Sequence, residues 1–188
     1  MNYEETIQKL ISGDFDDATP EERDKVIEQI IHASALAASV LAMSPVPFIE
    51  TPIQVTMVRA IGKVYGYALD KKVIFEILSS IGGSMVLRQL VRFIPGIGII
   101  ANLSKVYGTT WAMGMVADYY FRQNREVVKE ELMRMFKMTQ KEKTLEKEKE
   151  LEKSRIPERL QTLWELFQKN LITPEEYRKK REEILSQL

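Results

Sequence analysis

Two short motifs with small residues four positions apart most strongly limit what this chain can fold into. One motif contains Gly62 and Gly66, the other contains Ser104 and Gly108, and each follows an apolar stretch interrupted by proline. Small residues at positions i and i+4 of a helix let a second helix approach closely. The motifs therefore predict tightly packed helices. We assign this helix-packing role to a wider set of small residues, namely Gly62, Gly66, Gly82, Gly83, Gly96, Gly98, Ser104, Gly108 and Gly114.

The rest of the chain is also typical of helices. No stretch of alternating apolar and polar residues bounded by turn residues predicts a sheet. The segments 19–22 and 173–176 both read Thr-Pro-Glu-Glu, which favours a helix start because a hydroxyl, a preset φ and two carboxylates suit its first turn. We predict an all-α fold: a compact, Gly/Ala-packed helical domain, a charged helical spacer and a C-terminal two-helix hairpin. The predicted boundaries are 1–18 for an N-terminal helix, 19–125 for the domain, 126–155 for the spacer and 156–188 for the hairpin.

Prolines and glycines predict where the helices of the domain end. Because proline disfavours helix at the residue before it, the first helix is expected to cover about 19–43 and the second about 52–69. A turn then leads to a third helix over 73–93. A fourth helix is expected to begin after Gly98 and to continue, becoming more polar, through Phe136.

Composition excludes several classes of protein. Lysine plus arginine and aspartate plus glutamate each total 27 in 188 residues, so no excess of charge predicts a nucleic-acid partner. The chain has no cysteine, which excludes disulfides and thiolate chemistry. The acidic start of the chain lacks the apolar run of a secretory signal, so we expect a cytoplasmic location.

No catalytic, cofactor-binding or metal-binding residue can be named. The segment 96–101 has the spacing of a dinucleotide-binding glycine loop, with Asp118 about twenty residues on, but that loop requires a preceding strand and here follows a predicted helix. His32 is the only histidine and lies among alanines, as packed helix residues do. We therefore predict a protein without enzymatic activity or cofactor, and keep a nucleotide-using enzyme as a remote alternative.

The sequence leaves membrane contact open. Residues 29–49 carry no formal charge over 21 positions, which is near the length that crosses a bilayer. The second apolar stretch, 93–117, contains Lys105, which would be unfavourable at the bilayer centre. The same small-residue helices suit a water-soluble bundle equally well, so contact with the inner face of a membrane remains one of two interpretations.

The C-terminal third has a different character. Residues 126–158 are dominated by charge, and opposite charges three and four positions apart are typical of a solvated helix, here interpreted as a semi-rigid spacer. The following thirty residues cannot bury enough apolar surface to be stable alone. We therefore expect them to pack on each other and on another copy or a partner. The candidate interface residues are Leu160, Leu163, Trp164, Phe167, Tyr177 and Ile184.

Residues 156–188 resemble the short C-terminal (SHOCT) domain. The resemblance rests on a leucine-rich helix, the turn Leu171-Ile172-Thr173-Pro174-Glu175-Glu176-Tyr177 and a lysine-rich helix ending in Ile184-Leu185. It implies an interaction or oligomerisation module.

Residues 29–121 resemble the bacterial domain-of-unknown-function family 697. The order and spacing of several blocks carry the resemblance, among them 44–48, 61–66, 82–83, 94–98 and 112–114. The resemblance brings no catalytic residues. It implies association with Era-like GTPase domains and, in some members, with membranes.

Two functions follow from these patterns. The first is a non-enzymatic interaction protein that is associated with a membrane and partnered with a separate Era-like GTPase. The alternative is a soluble, homo-oligomeric helical scaffold with neither a membrane nor a GTPase role. In both, the partner is a protein, either a GTPase or a second copy bound through the C-terminal hairpin.

Overall fold

The computed structural model describes residues 18–41, 51–69, 74, 77 and 98–187. This part of the chain forms helices and no strands, which confirms the all-α prediction. The helices are α1 (Pro20–Leu41), α2 (Thr51–Val64), α3 (Ile99–Arg122), α4 (Lys129–Lys153), α5 (Ile156–Gln168) and α6 (Pro174–Leu185). Nearly all of the predicted N-terminal helix and most of the predicted helix 73–93 lie outside the described residues, as do Gly82, Gly83 and Gly96.

Helix α3 is the centre of the fold. It contacts α1, α2, α4 and α5, and most of its residues from Asn102 to Phe121 are buried. One apolar core surrounds it, with fully buried side chains from α1 (Ile31), α2 (Ile61) and α3 (Met113). None of the six described helices combines the length and the apolarity that crossing a lipid bilayer requires.

The two Thr-Pro-Glu-Glu segments begin α1 and α6, as the sequence predicts. The Glu176 backbone N–H donates to Thr173 Oγ1 (3.2 Å), and the Thr173 backbone N–H donates to Glu176 Oε2 (2.8 Å). Thr19 and Glu22 exchange the same pair of hydrogen bonds at 3.3 and 2.9 Å. Each capping box satisfies two backbone donors that a helix start would otherwise leave open. The N–H of Thr173 lowers the pKa of Glu176, because it favours the charged carboxylate.

Three helices end in the same hydrogen-bonded turn. In each, a residue with positive φ follows the helix: Gly66 (77°) after α2, Asn124 (51°) after α3 and Asn170 (54°) after α5. This is the Schellman motif, which satisfies the last carbonyls of a helix. The bonds that span six residues run from Tyr67 N to Gly62 O (2.9 Å), Arg125 N to Tyr120 O (2.8 Å) and Leu171 N to Leu166 O (2.9 Å).

These turns correct two predicted helix ends. The second predicted helix ends at Val64 rather than near position 69, because Gly66 takes the left-handed conformation. The fourth does not continue through Phe136: α3 ends at Arg122, the chain reverses over 123–128, and α4 begins at Lys129. Asparagine is the residue besides glycine that most readily adopts positive φ, and Asn124 supplies this stop.

The predicted packing glycines divide into two groups. Those inside helices have close neighbours: a Cβ at Gly62 would meet the Leu69 side chain, one at Gly114 would meet Ile31, and one at Gly108 would meet the α4 backbone. Ser104, on the same stripe as Gly108, is fully buried. The predicted packing role of Gly66 and Gly98 is wrong. Within the described ranges a Cβ would have no neighbour closer than 4 Å at either position, because Gly66 forms a turn and Gly98 precedes α3 in an exposed position.

The interpretation of residues 126–155 as a solvated spacer is also wrong. Helix α4 packs antiparallel along α3, and its Leu132, Phe136 and Leu151 are buried. The middle of its inward face is polar. Gln140 Nε2 donates to Thr109 Oγ1 (2.7 Å). The sequence pattern did not predict this packed face, because apolar residues lie only at its two ends and the residues between them are polar.

Two lysines complete the contact between α4 and α3. Lys143 Nζ lies 4.8 Å from the centre of the Trp111 ring, and Lys147 Nζ lies 5.0 Å from that of Tyr107. Lys147 is only 4% exposed, and its ammonium also pairs with Glu150 at 2.8 Å. The aliphatic stems of such lysines cover apolar surface while the ammonium groups are held by ring faces and carboxylates. A highly charged helix can therefore belong to the packed body.

Candidate protein-binding face of the terminal hairpin

The terminal hairpin, α5 and α6, has an inner face that packs on the rest of the chain. Leu160, Leu163 and Ile184 form a second apolar cluster with Leu103 of α3 and Leu151 of α4. These three hairpin residues are 2–6% exposed. They were predicted to lie at an intermolecular interface, and the structure places them in the intramolecular core instead, because α3 and α4 provide the surface that thirty isolated residues lack.

The remaining predicted interface residues lie towards the turn of the terminal hairpin, next to the inner cluster, against which Tyr177 packs. Trp164 and Phe167 lie one turn apart on α5, with ring centres 5.9 Å apart, and Tyr177 comes from the first turn of α6. The Phe167 and Tyr177 rings stack at 4.7 Å, and Trp164 meets Tyr177 edge to face at 6.0 Å. All three side chains are half-buried. Sequence reasoning placed these aromatics in one group, and the structure brings them together as the aromatic face.

The turn between the two helices brings an aliphatic side chain to this region. The αL conformation of Asn170 reverses the chain, and the next residue, Leu171, is 65% exposed. Ile172 is half-buried and packs against the inner cluster. A large exposed leucine in the turn that joins two aromatic-bearing helices adds apolar surface that a partner could cover, although a single exposed leucine is common on any protein.

The rim of the aromatic face is more basic than acidic. Residues 164–181 contain five basic side chains and three acidic ones. Arg178, Lys179 and Lys180 are exposed, and Glu175 lies 3.9 Å from Arg178. Burial raises the pKa of the Tyr177 hydroxyl although the neighbouring Arg181 lowers it, so Tyr177 remains a neutral hydrogen-bonding group at neutral pH.

A polar cluster lies at the opposite end of α3, where four side chains from three helical segments meet. Tyr65 Oη donates to Asp118 Oδ1 (2.5 Å), and Arg122 donates to Asp24 (2.6 Å) and to Asp118 (3.1 Å). Burial and the Asp118 carboxylate raise the pKa of Tyr65. A cleft of about 430 Å³ opens beside this cluster. Since the four side chains engage one another, the cluster ties α1, α2 and α3 together.

His32 lies at the edge of the aromatic residues that α3 turns towards α1 and α4. Its Nδ1 and the Tyr107 hydroxyl are joined by a hydrogen bond of 2.9 Å, and its ring meets Trp111 edge to face at 5.8 Å. Burial, followed by the charges of Glu150, Glu146 and Glu28, raises the pKa of Tyr107. These contacts are those of a helix residue that packs on a neighbour, as the sequence predicts for a lone histidine.

Comparison with known proteins adds no assignment: no family model, curated protein or solved structure matches the chain. The resemblances of residues 29–121 and 156–188 to two families therefore stay predictions.

Proposed function

We propose that this chain is a non-enzymatic interaction protein that binds a protein partner through the aromatic face of its terminal hairpin. One observation carries the proposal. Trp164, Phe167 and Tyr177 form a half-buried ring cluster between the C-terminal half of α5 and the first turn of α6, next to the inner cluster, and the turn that joins these two helices carries the exposed Leu171. Aromatic anchors that become fully desolvated on binding are the residues that most often dominate interface energies.

The packing of the inner face supports this role. Because Leu160, Leu163 and Ile184 attach the hairpin to α3 and α4, the aromatic face is presented on ordered helices. A surface that is ordered before binding loses less conformational entropy when a partner arrives. The basic rim favours a partner that combines an apolar side chain with acidic neighbours.

The partner class in this proposal is an Era-like GTPase, and the location is the cytoplasm at the inner face of a membrane. Support for this class comes from the resemblance of residues 29–121 to family 697. The alternative partner is a second copy of this chain, which would make the protein a homo-oligomeric scaffold. If the partner is a second copy, the mass of the purified protein in solution rises with its concentration. If the partner is a GTPase, the protein alone keeps one mass at all concentrations.

The test is a binding titration of the full chain with purified Era-like GTPases, each loaded with GDP or a GTP analogue. Trp164→Ala and Leu171→Ser are compared with Met138→Ala, which changes an equally exposed apolar residue (66%) on α4. We expect each hairpin variant to weaken binding roughly tenfold or more and the α4 variant to leave it unchanged. Equal affinities for all variants, or no binding to any GTPase, would exclude this partner at this face.

Light scattering of the same variants separates the alternative. A wild-type dimer that Leu171→Ser dissociates would favour the scaffold. Carbonate-washed membranes test the location: protein found only in the soluble fraction would contradict the membrane part of the proposal.

A further inference from the structure

Helices α3 and α4 pack antiparallel, and the residues that meet lie at nearly equal distances in sequence from one central position. Gly108 faces Thr144, and Tyr119 Oη donates to Glu131 (2.7 Å). The midpoints of these two pairs are positions 126 and 125, which lie inside the turn 123–128. Two copies related by a two-fold axis near position 126 could therefore exchange these helices. The α4 of one copy would then pack on the α3 of the other through the same contacts.

The turn at the centre of this register requires a backbone conformation that is costly for one of its residues. Residues 123–128 contain neither glycine nor proline. Two consecutive non-glycine residues nevertheless have positive φ, Asn124 at 51° and Arg125 at 70°. Asparagine tolerates this conformation, whereas Arg125 carries a backbone cost that its side-chain contacts with Tyr120 and the Tyr67 ring offset in the closed form. A continuous helix through this segment would remove both positive φ angles.

Helical periodicity allows the same contacts to form after such a change. Position 144 minus position 108 is 36 residues, which corresponds to about ten turns at 3.6 residues per turn. In a continuous helix, Gly108 and Thr144 would therefore lie on the same side. The surface of α3 that packs on α4 and the surface of α4 that packs on α3 would then lie along the same side of one long helix. An antiparallel second copy could cover that side.

We infer that two copies of this chain exchange the arm formed by α4, α5 and α6. In the exchanged dimer, α3 and α4 join into one helix, and each α3 receives α4 from the partner subunit. The contacts of Gln140 with Thr109 and of Lys147 with Tyr107 then form between copies. The terminal hairpin (α5 and α6) moves with α4, so Leu160 and Leu163 pack on α3 of the other copy. The inference does not depend on the proposed function, because it uses none of the aromatic face.

The test compares two hinge variants whose expected effects are opposite. Asn124→Gly with Arg125→Gly relieves the positive φ angles and favours the closed monomer. Asn124→Ala with Arg125→Ala retains the steric cost and favours helix, and so favours the dimer. After refolding at high concentration, light scattering is expected to show a dimerisation constant at least about tenfold larger for the alanine variant than for the glycine variant, with wild type between them.

Cross-linking then shows whether a dimer is an exchanged one. The chain has no cysteine, so Thr109→Cys and Gln140→Cys can be placed on separate copies and the copies mixed during refolding. Exchange places the two thiols side by side, and a short bismaleimide should link the two chains. Equal masses for both hinge variants would overturn the inference, as would a dimer that gives no link between chains. The corresponding single changes at Arg125 repeat the test if a double variant fails to fold.

Discussion

The two sides of α3 solve the same packing problem with different chemistry. On one side Gly114 lies against the fully buried Ile31 of α1. On the other side Gly108 lies against the backbone of α4, where Gln140, Thr144 and two lysines form the contact. Both sides bring a second helix close through a missing side chain. A stripe of small residues therefore predicts that another helix lies close by, but it does not predict whether the contacting face of that helix is apolar or polar.

The polar side is held by contacts that a hydropathy pattern does not reveal. Lys147 is buried over an aromatic ring and paired with Glu150, so its charge is compensated where water is largely excluded. Because the whole side chain is only 4% exposed, its aliphatic stem is buried together with the ammonium that lies over the Tyr107 ring. A buried, compensated lysine contributes less net stability than its contacts suggest, because desolvating the ammonium opposes them.

Gly108→Ala is expected to have the largest effect. The added Cβ would lie 2.7 Å from the Thr144 backbone nitrogen and 2.9 Å from the Gln140 carbonyl oxygen, and a backbone cannot rotate away as a side chain can. We expect a loss of about 3 kcal/mol in the free energy of unfolding, measured by guanidinium titration.

Ser104→Ala is the matched control, one turn away on the same stripe. No group of the described residues hydrogen-bonds the buried Ser104 hydroxyl, so its removal is expected to leave stability unchanged or slightly higher. Equal stabilities for Gly108→Ala and wild type would show that α4 does not lie against α3 at this point.

Gly114→Ala is expected to have an intermediate effect on the apolar side of α3. The new Cβ would lie within about 3 Å of the Ile31 side chain, whose Cδ1 and Cγ2 would be 3.0 and 3.1 Å away. We expect a loss of about 2 kcal/mol in the free energy of unfolding. Combining it with Ile31→Ala should cost less than the sum of the two single changes, since alanine lacks Cδ1, Cγ2 and the Cγ1 that would lie 2.5 Å from the new Cβ. Strictly additive losses in the double variant would contradict this contact.

Substitutions at Lys147 are expected to have the smallest effect. Lys147→Ala removes both the stem and the charge, and we expect a loss of about 1 kcal/mol, read from the midpoint of thermal unfolding. Lys147→Met keeps the stem over Tyr107 and should lose less than the alanine variant. If both variants lose the same stability, the charge and not the stem stabilises the contact. The polar side of α3 would then differ from the apolar side in the kind of interaction as well as in composition.

The sequence predicted features that depend on neighbouring residues better than features that depend on distant ones. Both Thr-Pro-Glu-Glu starts are confirmed, because a capping box is built from four consecutive residues. The stop at Asn124 was missed, since asparagine marks a helix end less strongly than glycine. Helix α4 was interpreted as solvated because the residues between Phe136 and Leu151 on its inward face are polar, and only the structure shows what they meet.

The hairpin illustrates the same limit within the candidate site. Its two helices are present as predicted, and six of its residues were named as a possible interface, although the exposed Leu171 was not among them. Leu160, Leu163, Trp164 and Phe167 follow the i, i+3, i+4, i+7 spacing of one apolar stripe, of which the two leucines are buried and the two aromatics half-buried. Which part turns inward is decided by Leu103 and Leu151, which are distant in the sequence.

Native-state hydrogen exchange tests the central claim, that α4 is a packed part of the helical body, most directly. The amides of residues 139–148 lie in the charged middle of α4, where a solvated helix would open most easily. The account predicts that they exchange about as slowly as the amides of 104–113 in α3, and that Gly108→Ala selectively accelerates them. Exchange of 139–148 at the rate of an isolated peptide helix, in wild-type protein with α3 protected, would contradict it.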